Sequence, residues 1–181
     1  MLSQPSSGLP VNKSRLQLNH YNVVRLRLEP ADNQPALSLG QYADFSKANF
    51  RSKTSHGQVR LPNGEPRTTV VVRLEGEPQE GQAFPYSFLI ELVGLFDGSD
   101  LPEEKREALV VANGASLLYG AARELLLTLS MRNMMGGLML PSVSFESVGK
   151  EIEAKHASRA AQISGKATDA LPGVSEAIAE R

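Results

Sequence analysis

The chain has 181 residues, 41% hydrophobic and 22% charged, with a formal net charge of −1. That is enough for one domain with its own hydrophobic core, short for two, and it excludes wholesale disorder. The absence of cysteine removes disulfides, thiolate metal sites and cysteine nucleophiles, and fits a reducing, cytoplasmic setting. No run of about 18 apolar residues occurs, so no membrane-spanning helix is predicted. The opening MLSQPSSGLP lacks the basic start and apolar stretch of a secretory signal.

Residues 1–13 are rich in Ser, Pro and Gly and are expected to form a flexible arm. The first strand is predicted from Leu16–Leu18 and from 23–28, where Val24, Leu26 and Leu28 alternate with Arg25, Arg27 and Glu29. A period of two with one apolar face means a half-buried strand. A weaker strand is expected near 48–55, after a stretch holding Tyr42, Phe45 and Phe50. Asn63-Gly64 between two prolines marks a turn. The β-branched TTVVVRL at 68–74 makes a third strand. YSFLIELVGLF at 86–96 makes a fourth, apolar enough to be covered on both faces for part of its length.

The period then changes. From about 103 to 130, apolar residues recur at three and four: Leu109, Val110, Leu117, Leu118, Ala121, Leu125, Leu129. Asp100 or Ser99 can serve as N-cap, Pro102 suits the first turn, and Glu103 and Glu104 suit the positive end of the helix. At about 1.5 Å per residue the helix runs near 42 Å, longer than one small sheet needs. Gly114 and Gly120 inside it predict a close helix crossing or a bend. Gly136-Gly137 is expected to close it. A short extended segment follows around Pro141 and Phe145, then a polar helix over about 147–163, and the last 15 or so residues are expected to be mobile or partner-bound. The predicted organisation is therefore an arm (1–13), a domain (14–150) and a polar C-terminal helix and tail (151–181). The fold class is α+β: a four-stranded antiparallel sheet, a long amphipathic helix and a shorter C-terminal helix. One helix over one sheet leaves apolar surface, which a second copy would cover.

Chemical motifs are sparse. There is no phosphate-binding glycine loop, no nucleophile elbow and no acid/base pair, so no enzymatic activity, metal or cofactor is predicted. His20, His56 and His156 lie in different segments and read as surface residues. Met131, Met134, Met135 and Met139 cluster after the helix with Leu138 and Leu140, either as an adaptable apolar surface or as core or subunit interface. Charge is uneven: ten basic and four acidic residues over 1–73, two basic and nine acidic over 74–110. This predicts either a partner surface or cancellation between paired strands. The cations are spread along the chain, so no nucleic-acid partner is expected.

Three motifs carry a family resemblance. Gly94-Leu95-Phe96 closes the fourth strand, LYGAARE at 118–124 lies in the long helix, and LMLPSVSF at 138–145 follows it. With the order of elements, 86–148 resembles the SecB family of bacterial protein-export chaperones. Gly120 and Ala121 stand where that family has proline and tyrosine, Pro141 stands one position early, and the chain is nearly neutral where export members are acidic. The resemblance implies a homotetramer, a dimer of dimers with the long helices between dimers, built here on Gly114, Leu117, Leu118, Gly120, Arg123 and Glu124. It implies ATP-independent holding of unfolded polypeptide in apolar grooves. It nominates Phe96 and Phe145 as groove residues, or alternatively as buried core, together with Tyr42, Phe45, Phe50, Leu138 and Leu140. The client is then an export precursor, with an export motor as further partner, or a dedicated protein such as an antitoxin. The alternatives are a non-catalytic adaptor with one fixed partner and, more remotely, a hot-dog-fold thioesterase, whose helix precedes most of its strands.

Overall fold

The computed structural model describes residues 13–38 and 40–168. Residues 1–12 of the expected arm and 169–181 of the tail lie outside the described residues. Four strands, β1 (Gln17–Pro30), β2 (Ala48–Arg60), β3 (Pro66–Pro78) and β4 (Tyr86–Asp97), are followed by the helices α1 (Arg106–Ser130) and α2 (Glu146–Thr168). The sheet is antiparallel throughout, in the order β1-β4-β3-β2. The fold is the predicted α+β arrangement.

β2 and β3 form a hairpin through the turn at Asn63-Gly64. Gly64 takes a φ of +85°, which a side chain would disfavour, and its N–H bonds the Leu61 carbonyl at 2.8 Å. β1 does not join β2. It pairs with β4 at the far edge, so residues 31–44 must cross the end of the sheet to reach β2. The two fragments expected for β1 are one strand, interrupted by irregularities between Leu18 and His20 and between Val23 and Arg25. An inserted residue shifts which side chains share a face. Val23, Leu26 and Leu28 therefore align with the buried Leu92, Ile90 and Phe88, while Val24 is the extra residue.

Alternation is strict in the two central strands. Val70, Val72 and Leu74 on β3 and Phe88, Ile90, Leu92 and Phe96 on β4 are buried on one face. α1 covers that face with Val110, Val111, Ala115, Leu118, Ala122 and Leu126. The expected capping by Ser99 or Asp100 is not used. A 3₁₀ turn (Glu103–Lys105) leads into the helix instead, and the Asp97 carboxylate accepts from the Ser99 N–H at 3.0 Å. This bond, first, and Arg67 hold the Asp97 carboxyl below its ordinary range. α1 ends at Ser130, six residues before Gly136, because the chain must turn there to lie against the crossover.

Gly114 is the place where the helix meets the sheet. A Cβ there would lie 3.1 Å from the Phe96 ring and 3.2 Å from Val70. Its smallness serves the chain's own core, and so does Leu118, which is fully buried. Both were expected at a subunit interface and are occupied within the protomer. Leu117, Gly120 and Glu124 are exposed on the opposite side of α1, with Arg123 half-buried, and a Cβ on Gly120 would meet nothing within 4 Å.

Candidate functional site

The crossover (31–44) and the loop after α1 (131–137) lie side by side at one end of the sheet. Their backbones are joined as a short ladder. Ala43 N–H donates to the Gly137 carbonyl at 2.9 Å, Gly137 N–H to Gln41 at 3.2 Å, and Leu37 N–H to Met135 at 3.2 Å, around a parallel bridge between Tyr42 and Gly137. Both glycines are required by close approach. A Cβ on Gly136, where φ is +92°, would lie 2.8 Å from Leu37, and one on Gly137 would lie 2.8 Å from the Tyr42 ring.

Two buried side chains pin this ladder to the core. The Tyr86 hydroxyl donates to the Gly136 carbonyl, and burial raises its pKa. The Ser130 hydroxyl accepts from the Leu138 N–H at 2.7 Å and donates to the Leu127 carbonyl at 3.1 Å. Ser130 is fully buried, so Ser130→Ala leaves a buried N–H without a partner. The expected result is a loss of about 1–3 kcal/mol of stability, read as a shift of the urea midpoint at unchanged slope.

Above the ladder opens a hollow of about 290 Å³ between Leu37, Met131, Met134 and Gly137. Ser38 and Asn133 also line it, and large apolar side chains stand in water at and beside it: Met131 is 53% exposed, Met134 92%, and Tyr42, whose ring lies against Gly137, 50%. Large apolar side chains held on a fixed backbone are costly to expose and gain most from being covered. Met134 and Met131 belong to the methionine cluster flagged in the sequence, but the periodicity could not tell their exposed position from the core position of Leu138.

The other aromatic candidates lie deeper. Phe45 sits on a 3₁₀ turn (Phe45–Lys47) whose N-cap Asp44 accepts from the Ser46 hydroxyl at 2.7 Å and its N–H at 3.1 Å, which lowers the Asp44 pKa. Phe45 stacks edge-on against Phe50 and Phe84 at 5.4 and 5.3 Å between ring centres. Phe45 and Phe50 are half-buried lids over the buried Phe84 and Phe88. Phe96, Leu138, Leu140 and Phe145 are buried in the core; Phe96 backs a hollow of about 480 Å³ beside Arg67, Thr68 and Arg106 but has no exposed surface of its own. Phe145 packs edge-on against Tyr119 at 5.7 Å, and the Tyr119 hydroxyl donates to the Pro141 carbonyl at 2.6 Å. Burial pushes the Tyr119 pKa up to about 12. Together these contacts strap 138–145 onto α1.

A second feature was not visible in the sequence. His56 of β2 and His156 of α2, expected as separate surface residues, both contact Glu107 of α1. His56 Nε2 lies 2.8 Å from one carboxylate oxygen and His156 Nε2 lies 2.9 Å from the other. This carboxylate ties α2 to α1 and the sheet. Among the described residues no group of three His, Asp or Glu has metal-binding geometry, and no helix is long and apolar enough to cross a membrane.

A further apolar stripe runs along the β1 edge, where Tyr21, Val23, Val24 and Leu26 are exposed because α1 lies mainly over β3 and β4.

No protein-family model matches the sequence, and no curated protein matches it. Among solved structures the chain is similar to a SecB-like chaperone of Mycobacterium tuberculosis in complex with a ChAD peptide from the HigA1 antitoxin, at 18% identity and a TM-score of 0.44, over 72% of this chain and 91% of that one. It is also similar to a protein of unknown function from Streptococcus agalactiae, at 13% identity and a TM-score of 0.37, over 70% of this chain and 97% of that one.

Proposed function

We propose that this protein is an ATP-independent chaperone that holds non-native polypeptide at the apolar mouth formed by Tyr42, Met131 and Met134. The observation that carries this reading is the exposure of those side chains on a backbone that is itself pinned by Tyr86 and Ser130. A disordered client loses conformational entropy when it binds, so its affinity must come from several apolar contacts that accept varied side chains. Methionine suits this, being unbranched and polarizable. Phe45 and Phe50, half-buried over Phe84 and Phe88, offer further aromatic surface.

The motif resemblance to SecB supports the same reading. In it, copies assemble as a cytoplasmic homotetramer that covers the β1 stripe and the outer side of α1 at Leu117, Gly120, Arg123 and Glu124. The client is an export precursor, handed to an export motor, or a dedicated protein such as an antitoxin. The chain performs no chemistry on it.

The experiment is aggregation of a chemically unfolded protein, followed by light scattering, with stoichiometric amounts of this chain and no nucleotide. Suppression at about one tetramer per client is the expected result. Absence of suppression against several unrelated clients overturns general holding and leaves an adaptor with one fixed partner.

A further inference from the structure

We propose that the free edge of β2 docks an extended acidic segment of a partner polypeptide. This surface is separate from the mouth at Met134, and the proposal does not rest on the chaperone reading.

The sheet order leaves β2 at an edge, and no described strand pairs with its outer side. A 13-residue edge strand presents unpaired backbone donors and acceptors over its length, a template for one more strand. Its side chains carry one sign of charge. Within β2 the charged side chains are Arg51, Lys53 and Arg60, with no aspartate or glutamate; Lys47, just before the strand, is paired with Asp44 at 3.8 Å.

The register concentrates that charge. On the sheet face away from α1, Lys53 lies directly opposite Arg73 of β3, with Arg51 two residues along. Like charges directly opposite one another destabilise a sheet. Arg73 is compensated by Glu75 and by Glu91 at 3.6 Å, and Arg51 by Glu77 at 3.7 Å. Among the described residues no carboxylate lies within 4 Å of the Lys53 ammonium. A hollow of about 350 Å³ opens between Arg51, Ser52, Lys53, Arg73 and Glu75; its one carboxylate, Glu75, is taken by Arg73. A glutamate side chain from an added strand would enter it and neutralise Lys53, while the backbone of that strand completes the edge.

A second copy is the wrong occupant, because two such edges repel each other. A nucleic acid offers the charge but no strand backbone to pair with the edge.

The test titrates the full chain with a peptide of about eight residues alternating glutamate and threonine, a strand's length. Affinity and amide hydrogen exchange are both measured. Saturable binding that weakens with salt, with new protection confined to β2, is expected. Lys53→Glu should weaken it roughly tenfold or more. This substitution removes the like-charge pair with Arg73, so the variant should fold at least as well, which a thermal melt checks. The following results would each overturn the proposal. They are no saturable binding, equal affinity for the Lys53→Glu variant, and protection elsewhere than β2. A single-stranded DNA of the same charge that binds as tightly, without protecting β2, also overturns it.

Discussion

Phe96→Ala is expected to lower the unfolding free energy by about 3–5 kcal/mol, the usual cost of deleting a fully buried phenylalanine ring. The ring has no exposed surface. Two glycines make room for it: a Cβ on Gly94 would lie 2.7 Å from it and one on Gly114 would lie 3.1 Å away. Its removal leaves a void between β4 and α1 that neighbours cannot easily fill, since both glycines lack side chains to swing in. Urea unfolding should show a lower midpoint at unchanged slope. Aggregation suppression, corrected for the folded fraction, should stay as in the unsubstituted chain. A variant that unfolds normally but fails to hold client would return Phe96 to a binding role. The same logic applies, with a smaller effect, to Phe145, which is slightly exposed and packs on Tyr119.

What the sequence could and could not disclose follows from how each element is buried. β3 and β4 alternate in burial without interruption, but VVV at 70–72 and FLIELVGLF at 88–96 are nearly continuous in apolar residues, so the strands were legible and their inner faces were not. β1 misled at Val24. Its apparent alternation with Leu26 and Leu28 is broken by an inserted residue, and an irregularity of that kind carries no compositional mark. In α1 the helix itself was evident, but its buried side was not. Leu117 and Leu118 are chemically alike, yet one is half exposed and the other fully buried. A helix apolar on more than one side does not announce which side meets its own sheet, and so Gly114 and Leu118 read as interface. The aromatic candidates divided for the same reason: the motif match nominated Phe96 and the segment before the second strand offered Tyr42, and only packing decides that Phe96, under α1 at Gly114, is core and that Tyr42, on the crossover beside Gly137, is rim. The Glu107 contacts join residues 51 and 49 positions apart through tertiary packing, a separation at which spacing holds no information.

The most direct challenge to the chaperone reading is Met134→Glu. With 92% of its surface in water, Met134 contributes almost nothing to the packing of the fold, so the substitution should alter stability by no more than about 0.5 kcal/mol. Its effect on holding should be large. Covering one methionine side chain with client is worth about 1.5–3 kcal/mol. A carboxylate in its place forfeits that gain and must itself be desolvated against the client's apolar residues. Affinity for an unfolded client should therefore fall by roughly one to two orders of magnitude, and the amount of chain needed to halve light scattering should rise accordingly. Met134→Leu restores apolar area without charge and should restore most of the activity. If the glutamate variant suppresses aggregation as well as the unsubstituted chain, clients do not use this mouth. Attention then passes to the exposed stripe on β1, where Val23→Lys places a charge among Tyr21, Val24 and Leu26. Loss of holding in that variant, with the oligomer intact, would locate the client site on the edge strand, whereas loss of the oligomer would assign the stripe to assembly.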